Sequence, residues 1–107
     1  MAINLKKLEP TGILDGATTN ELKLQVSDLL HQDIDIVLLD MRQVTFMNST
    51  GIGAMVAMLK IVRAKGKRIY LCGLTEQVQI IFELTKMDRV FKIFADQQDF
   101  ETKVLVA

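Results

Sequence analysis

Polar and apolar residues alternate loosely at the start of the chain, where Ile3, Leu5 and Leu8 predict a first strand closed by the turn-forming stretch EPTG, residues 9 to 12. The period then lengthens. Leu22, Val26, Leu29 and Leu30 recur at helical spacing behind Thr18 and Glu21, which stand three apart as in a capping box, so a helix is expected to about His31. Alternation disappears in IDIVLLDM, Ile34 to Met41, an unbroken aliphatic run that predicts a central strand covered on both faces. After RQVTFMNST the helical period returns in two stripes, one of Ile52, Met55, Val56, Leu59 and Val62, the other of Ala54, Ala57, Met58 and Ile61. GKRIYLCG, from Gly66 to Gly73, predicts a short strand, and Thr75 caps a helix with Val78, Ile81, Phe82 and Thr85 on one face. RVFKIF, Arg89 to Phe94, predicts a last strand, and DQQDFETKVLV a closing helix that buries Phe100, Val104 and Leu105.

Strands alternating with helices at this interval imply an α/β fold, a mostly parallel sheet with right-handed crossovers. With 107 residues, no repeat and no linker, the chain is expected to form one domain, residues 1–107, around one core. Charge narrows the function: thirteen basic and thirteen acidic side chains cancel, and no aromatic-plus-basic pattern is present, so no direct nucleic-acid partner is expected. The longest charge-free stretch, Gln43 to Leu59, is broken by polar residues and shorter than the roughly 18 apolar residues of a membrane span. No membrane insertion is expected, nor a signal peptide, since no long apolar run follows the first charges. A lone Cys72 and six methionines suit a reducing compartment, the cytoplasm.

Candidate chemistry gathers at FMNSTGIGAM, residues 46 to 55, where a strand pattern gives way to a helical one. Ser49 or Thr50 stands at or just before the first helical residue, where free amides and the positive end of the dipole favour an anion. Gly51 and Gly53 either let another molecule approach the backbone or pack the first turn closely on the sheet. Asn, Ser and Thr are equally the ordinary choices for a helix cap. The helix behind them carries no charge until Lys60, as a docking surface would.

The segment VLLDMRQVTFMNSTGIGAMVAMLK, residues 37 to 60, resembles the central motif of STAS domains of the anti-sigma factor antagonist type. GILDGATTNELK and GKRIYLCGLTEQVQIIFELTKMDRVFKIF extend the likeness over nearly the whole chain. The resemblance implies a small STAS-like α/β fold, a four- or five-stranded, mostly parallel or mixed sheet with about four helices. It implies that Ser49 is the phosphoacceptor, with Asp15, Asn48, Thr50 and Gly51 as its neighbours and Ile52, Gly53, Met55 and Met58 as a partner-binding surface. It further implies that the unphosphorylated protein, a monomer when free, captures an anti-sigma factor that is also a GHKL-type serine kinase. That kinase releases itself by phosphorylating Ser49, and a PP2C-type phosphatase reverses the mark. Asn48 stands where the family usually has Asp, and the eleven residues before Gly12 leave room for one strand where many relatives have two.

No catalytic role, metal or cofactor is expected of the chain itself. Nothing beside Ser49 in sequence activates its hydroxyl, and no GxSxG elbow is present, so the chain is read as a substrate. His31 reads as a helix end favoured by the dipole, Cys72 as a small core residue, and RAKGKR, residues 63 to 68, as a solvated helix end. Met55 and Met58 suit packing as well as partner binding. Asp40 reads either as a second acid near Ser49 or as a strand-end acceptor of backbone amides. The alternative function is a STAS-type protein- or ligand-binding module that works without phosphorylation, for instance as a soluble subunit of a transport system.

Overall fold

The computed structural model describes residues 3–106. Its centre is β3 (Ile36–Asp40), in which every residue is buried. The reason for its unbroken aliphatic run is that both faces are covered. Val37 and Leu39 join the larger core with Ile69, Leu71, Val26 and Met55. Ile36 and Leu38 point the other way, to a smaller core with Cys72, Phe94 and Phe100. β1 (Leu5–Leu8) and β5 (Arg68–Cys72) flank β3, β6 (Ile93–Phe94) lies beyond β5, and every neighbouring pair is parallel.

The larger core is roofed by α1 (Gly16–Leu30), α2 (Ser49–Ala64) and α3 (Glu76–Leu84), with α1 packed extensively on α2. Thr75 caps α3 as expected, accepting from the Val78 amide. The smaller core is closed by α4 (Gln97–Phe100), which continues as a wider helical turn through Leu105. Phe100 is fully buried there and packs edge-on against Phe94, with ring centroids 5.5 Å apart. Val104 and Leu105 are only partly buried.

Several expectations are corrected. β1 alone precedes Gly12, but a further strand, β2 (Gly12–Leu14), begins at that residue and pairs in parallel with β4 (Val44–Met47) as a separate two-stranded sheet. Three or four residues are too few to show a period. The first helix is headed by Asp15, not Thr18: the Asp15 carboxylate accepts from the Thr18 amide at 3.0 Å while Thr18 Oγ1 accepts from the Asp15 amide at 2.9 Å. A reciprocal capping box is present, one turn earlier than the Thr18–Glu21 spacing indicated. The last strand is shorter than Arg89–Phe94, because Lys86 takes a left-handed φ of 63° and Met87–Arg89 form a single tight turn that buries Met87.

Candidate functional site: the joint start of two helices

β2 and β4 run in parallel and each leads straight into a helix. Leu14 is followed by Asp15, the cap of α1, and Met47 by Asn48, the cap of α2. The two strand ends are tied by the Asn48 amide, which donates to the Leu14 carbonyl at 3.3 Å. Both helices therefore start side by side, and a Cβ on Gly16 would stand 3.2 Å from Thr50 Cγ2. Neither first turn contains an acidic side chain. Two positive dipole ends are directed at one patch of surface; the Asp15 carboxylate offsets that of α1, while α2 starts on the neutral Asn48 with no carboxylate in its cap or first turn.

Asn48 answers the question of which residue is the cap. Its Oδ1 accepts from the Gly51 amide at 2.8 Å, and its carbonyl accepts from the Ile52 amide at 3.0 Å. Ser49 is thus the first helical residue, exposed, with its hydroxyl outside the capping bond. Thr50 is exposed beside it. An aspartate would cap in the same way, so the Asn in this chain keeps the geometry and leaves out one negative charge.

The glycines divide between the two readings offered for them. A Cβ on Gly51 would collide with the Leu14 carbonyl oxygen and lie 2.9 Å from its carbon, so Gly51 is there for close packing of α2 on the end of β2. Gly53 faces open space. Met55 and Met58 cannot serve as a docking surface: both are fully buried in the larger core, because the helix turns that stripe toward β3 and β5. Ile52 remains half-buried and Gly53 exposed.

An apolar surface exists here nonetheless, on residues the sequence pattern did not single out. Ile13 and Phe46 are cross-strand partners, 54% and 48% exposed, while their successors Leu14 and Met47 point into the core. The in-out alternation of ILD and FMN is the signal that could have found them, had two-residue patterns been readable. Phe46 lies three residues before Ser49, so this pair borders the start of α2.

The acidic neighbours behave differently from one another. Asp15 lies at the head of α1, but hydrogen bonds from the Thr18 amide and hydroxyl occupy its carboxylate and hold its pKa below the ordinary value. Asp40 does not join the site as a second acid. It is buried at the end of β3, where burial pushes its pKa up and Arg42 pulls it down further, leaving it below the ordinary value. Arg42 Nη2 stands 2.8 Å from one carboxylate oxygen, Nε bonds both, and Lys7 stands at 4.0 Å.

Nothing in this geometry generates a nucleophile. His31 forms the C-terminal cap of α1, about 24 Å along the helix from Asp15. Burial pushes the Cys72 thiol up to about 11, which makes it inert at neutral pH. Among the described residues there is no cluster of metal-ligating side chains, and no helix is long and apolar enough to cross a membrane.

This arrangement of strands and capped helices is that of a small α/β domain, and the chain belongs to the STAS domain family, whose profile matches residues 4–100. Its relatives include anti-sigma factor antagonists. An anti-sigma-B factor antagonist of Staphylococcus aureus is 28% identical over 74 residues, 69% of this chain and 68% of the relative. A crystal structure from Thermotoga maritima, described as a candidate anti-sigma factor antagonist, superposes with a TM-score of 0.82 at 25% identity, covering 94% of this chain and 86% of the other. The fold is also that of the anti-sigma factor antagonist SpoIIAA in its unphosphorylated form, with a TM-score of 0.74 at 15% identity over 94% of this chain and 89% of that one.

Proposed function

We propose that this protein is a phosphorylation-controlled partner switch in which Ser49 carries the phosphate. The observation that supports the reading is the state of Ser49: exposed, released from capping by Asn48, and set where α1 and α2 both begin. The unphosphorylated protein presents Ile13, Phe46, Ile52 and Gly53 around an uncharged hydroxyl, a surface suited to an anti-sigma factor that is also a GHKL-type serine kinase. The base and the ATP come from that kinase, since the chain supplies no activating group.

Phosphate adds about −1.5 to −2 charges. In the free protein it is accommodated, because dipole ends and first-turn amides favour an anion. Across an interface it is forced against Phe46 and Ile13 and loses its hydration. A cost of about 4 kcal/mol there weakens the complex roughly a thousandfold, enough to release the partner. A PP2C-type phosphatase then resets the exposed serine.

The test is phosphopeptide mapping of the protein from its native cells under two growth conditions, followed by partner capture with Ser49→Ala and Ser49→Asp. The switch predicts variable occupancy at Ser49, tight capture by the alanine variant and loss of capture by the aspartate variant. Equal capture by both folded variants overturns it and leaves a binding module that works without phosphorylation.

A further inference from the structure

At the other end of α2 the charge distribution is quite different. Arg63, Lys67, Arg68 and Lys92 rim a cavity of about 220 Å³ whose wall also contains Leu59, Ile69, Tyr70 and Val90. A second cavity of about 420 Å³ shares Arg63, Val90 and Lys92 with the first and adds Arg89, with Asp88 as its one carboxylate. Five cations thus converge on one groove of a chain whose formal net charge is zero.

Helix-end electrostatics do not account for this. Only Arg63 lies in the last turn of α2, where a cation complements the dipole. Lys67 immediately precedes β5 and Arg68 opens it, while Arg89 and Lys92 come from the stretch leading to β6. Gly66, with a φ of 73°, turns the chain sharply between α2 and β5 and so brings the first two groups together. Among the described residues the ion pairs employ Lys7, Arg42 and Lys103, and none of the five groove cations is in one. Five like charges with Asp88 as the one carboxylate in the lining repel one another, and they focus a positive field on the groove.

We propose that this groove is a second docking site, independent of Ser49, for an acidic peptide segment of a partner protein that carries apolar side chains among its carboxylates. The occupant follows from the lining. Five cations complement several carboxylates, and the exposed Val90, standing over the buried Leu59 and Ile69, provides an apolar contact that an inorganic anion would leave unused. Two adjoining cavities suit an extended chain better than a compact ion. Single-stranded nucleic acid fits less well, because base stacking needs a free aromatic face. Neither aromatic ring here is free: Tyr70 is packed against Phe94 and Phe100 at centroid distances of 5.8 and 5.4 Å, and Phe91 is buried against Phe82 at 6.4 Å.

The experiment is fluorescence anisotropy with a labelled peptide of alternating glutamate and leucine, run at low and at physiological salt. A lysine–leucine peptide, labelled oligothymidylate and phosphatidylglycerol vesicles serve as competing ligands. The protein is compared with an Arg63→Glu, Lys92→Glu variant and with a Lys6→Glu, Lys23→Glu variant of equal charge change outside the groove, each checked for folding by circular dichroism. The acidic peptide is expected to bind, to weaken with salt, and to lose about tenfold or more in affinity in the groove variant only. Absence of binding, an equal loss in both variants, or tighter binding of the oligonucleotide or vesicles overturns the proposal.

Discussion

Gly51 and Gly53 stand two residues apart in the first turns of α2 and are held by opposite constraints. The backbone of Leu14 occupies the space that a side chain at 51 would need, whereas nothing lies within 4 Å of one at 53. Alanine gains roughly 1 kcal/mol of helix propensity over glycine at either position. At 51 that gain is outweighed by a clash with a carbonyl that is itself tied to the Asn48 amide, so overpacking of about 1–3 kcal/mol is expected. Thermal unfolding followed by circular dichroism should show Gly51→Ala melting several degrees below the native protein and Gly53→Ala at or above it. If both variants melt alike, the close approach of α2 to β2 is not a constraint. At this scale the sequence revealed less than the structure in one respect: NSTG announced a helix start, but three capping residues in a row left the cap unassigned. Ile13 and Phe46 stayed hidden because exposure of one residue in a pair of short strands leaves no periodic trace.

Elements were legible in proportion to their length and to how completely they are covered. β3 stood out because two cores bury both of its faces, and α1 and α2 because fifteen and sixteen residues repeat a period several times. β2 and β4 were not legible as a second sheet, being three and four residues long with mixed burial. The end of the chain shows the same rule in energetic form. α4 has only four residues, too few to hold itself, and depends on one side chain: Phe100, which fills the smaller core between Phe94 and Tyr70. Phe100→Ala is expected to cost about 3–5 kcal/mol in urea unfolding, the range for deleting a buried aromatic. It should also raise hydrogen exchange at the β5 and β6 amides first. A loss below about 1 kcal/mol would mean that α4 merely rests on the sheet.

Across the whole molecule, α2 is the axis that separates two surfaces of opposite chemistry. Ser49 begins it and Arg63 lies fourteen residues on, about 21 Å away at the helical rise. At physiological ionic strength the Debye length is about 8 Å, so a phosphate on Ser49 acts on the groove cations through more than two screening lengths. Packing offers no lever either, because the buried stripe of Met55, Met58, Leu59 and Val62 holds the helix against the sheet along its length. Sites this far apart with no shared partner behave additively. Phosphorylation of Ser49 is therefore expected to leave the affinity of the acidic peptide for the groove unchanged within about twofold at physiological salt, and to lower it measurably only when salt is reduced to about 10 mM, where the screening length grows to roughly 30 Å. Titrating the peptide into the native and the Ser49-phosphorylated protein at both ionic strengths measures this directly. A large effect at physiological salt would show that the two ends of α2 are mechanically coupled, and that the partner released at one end is sensed at the other.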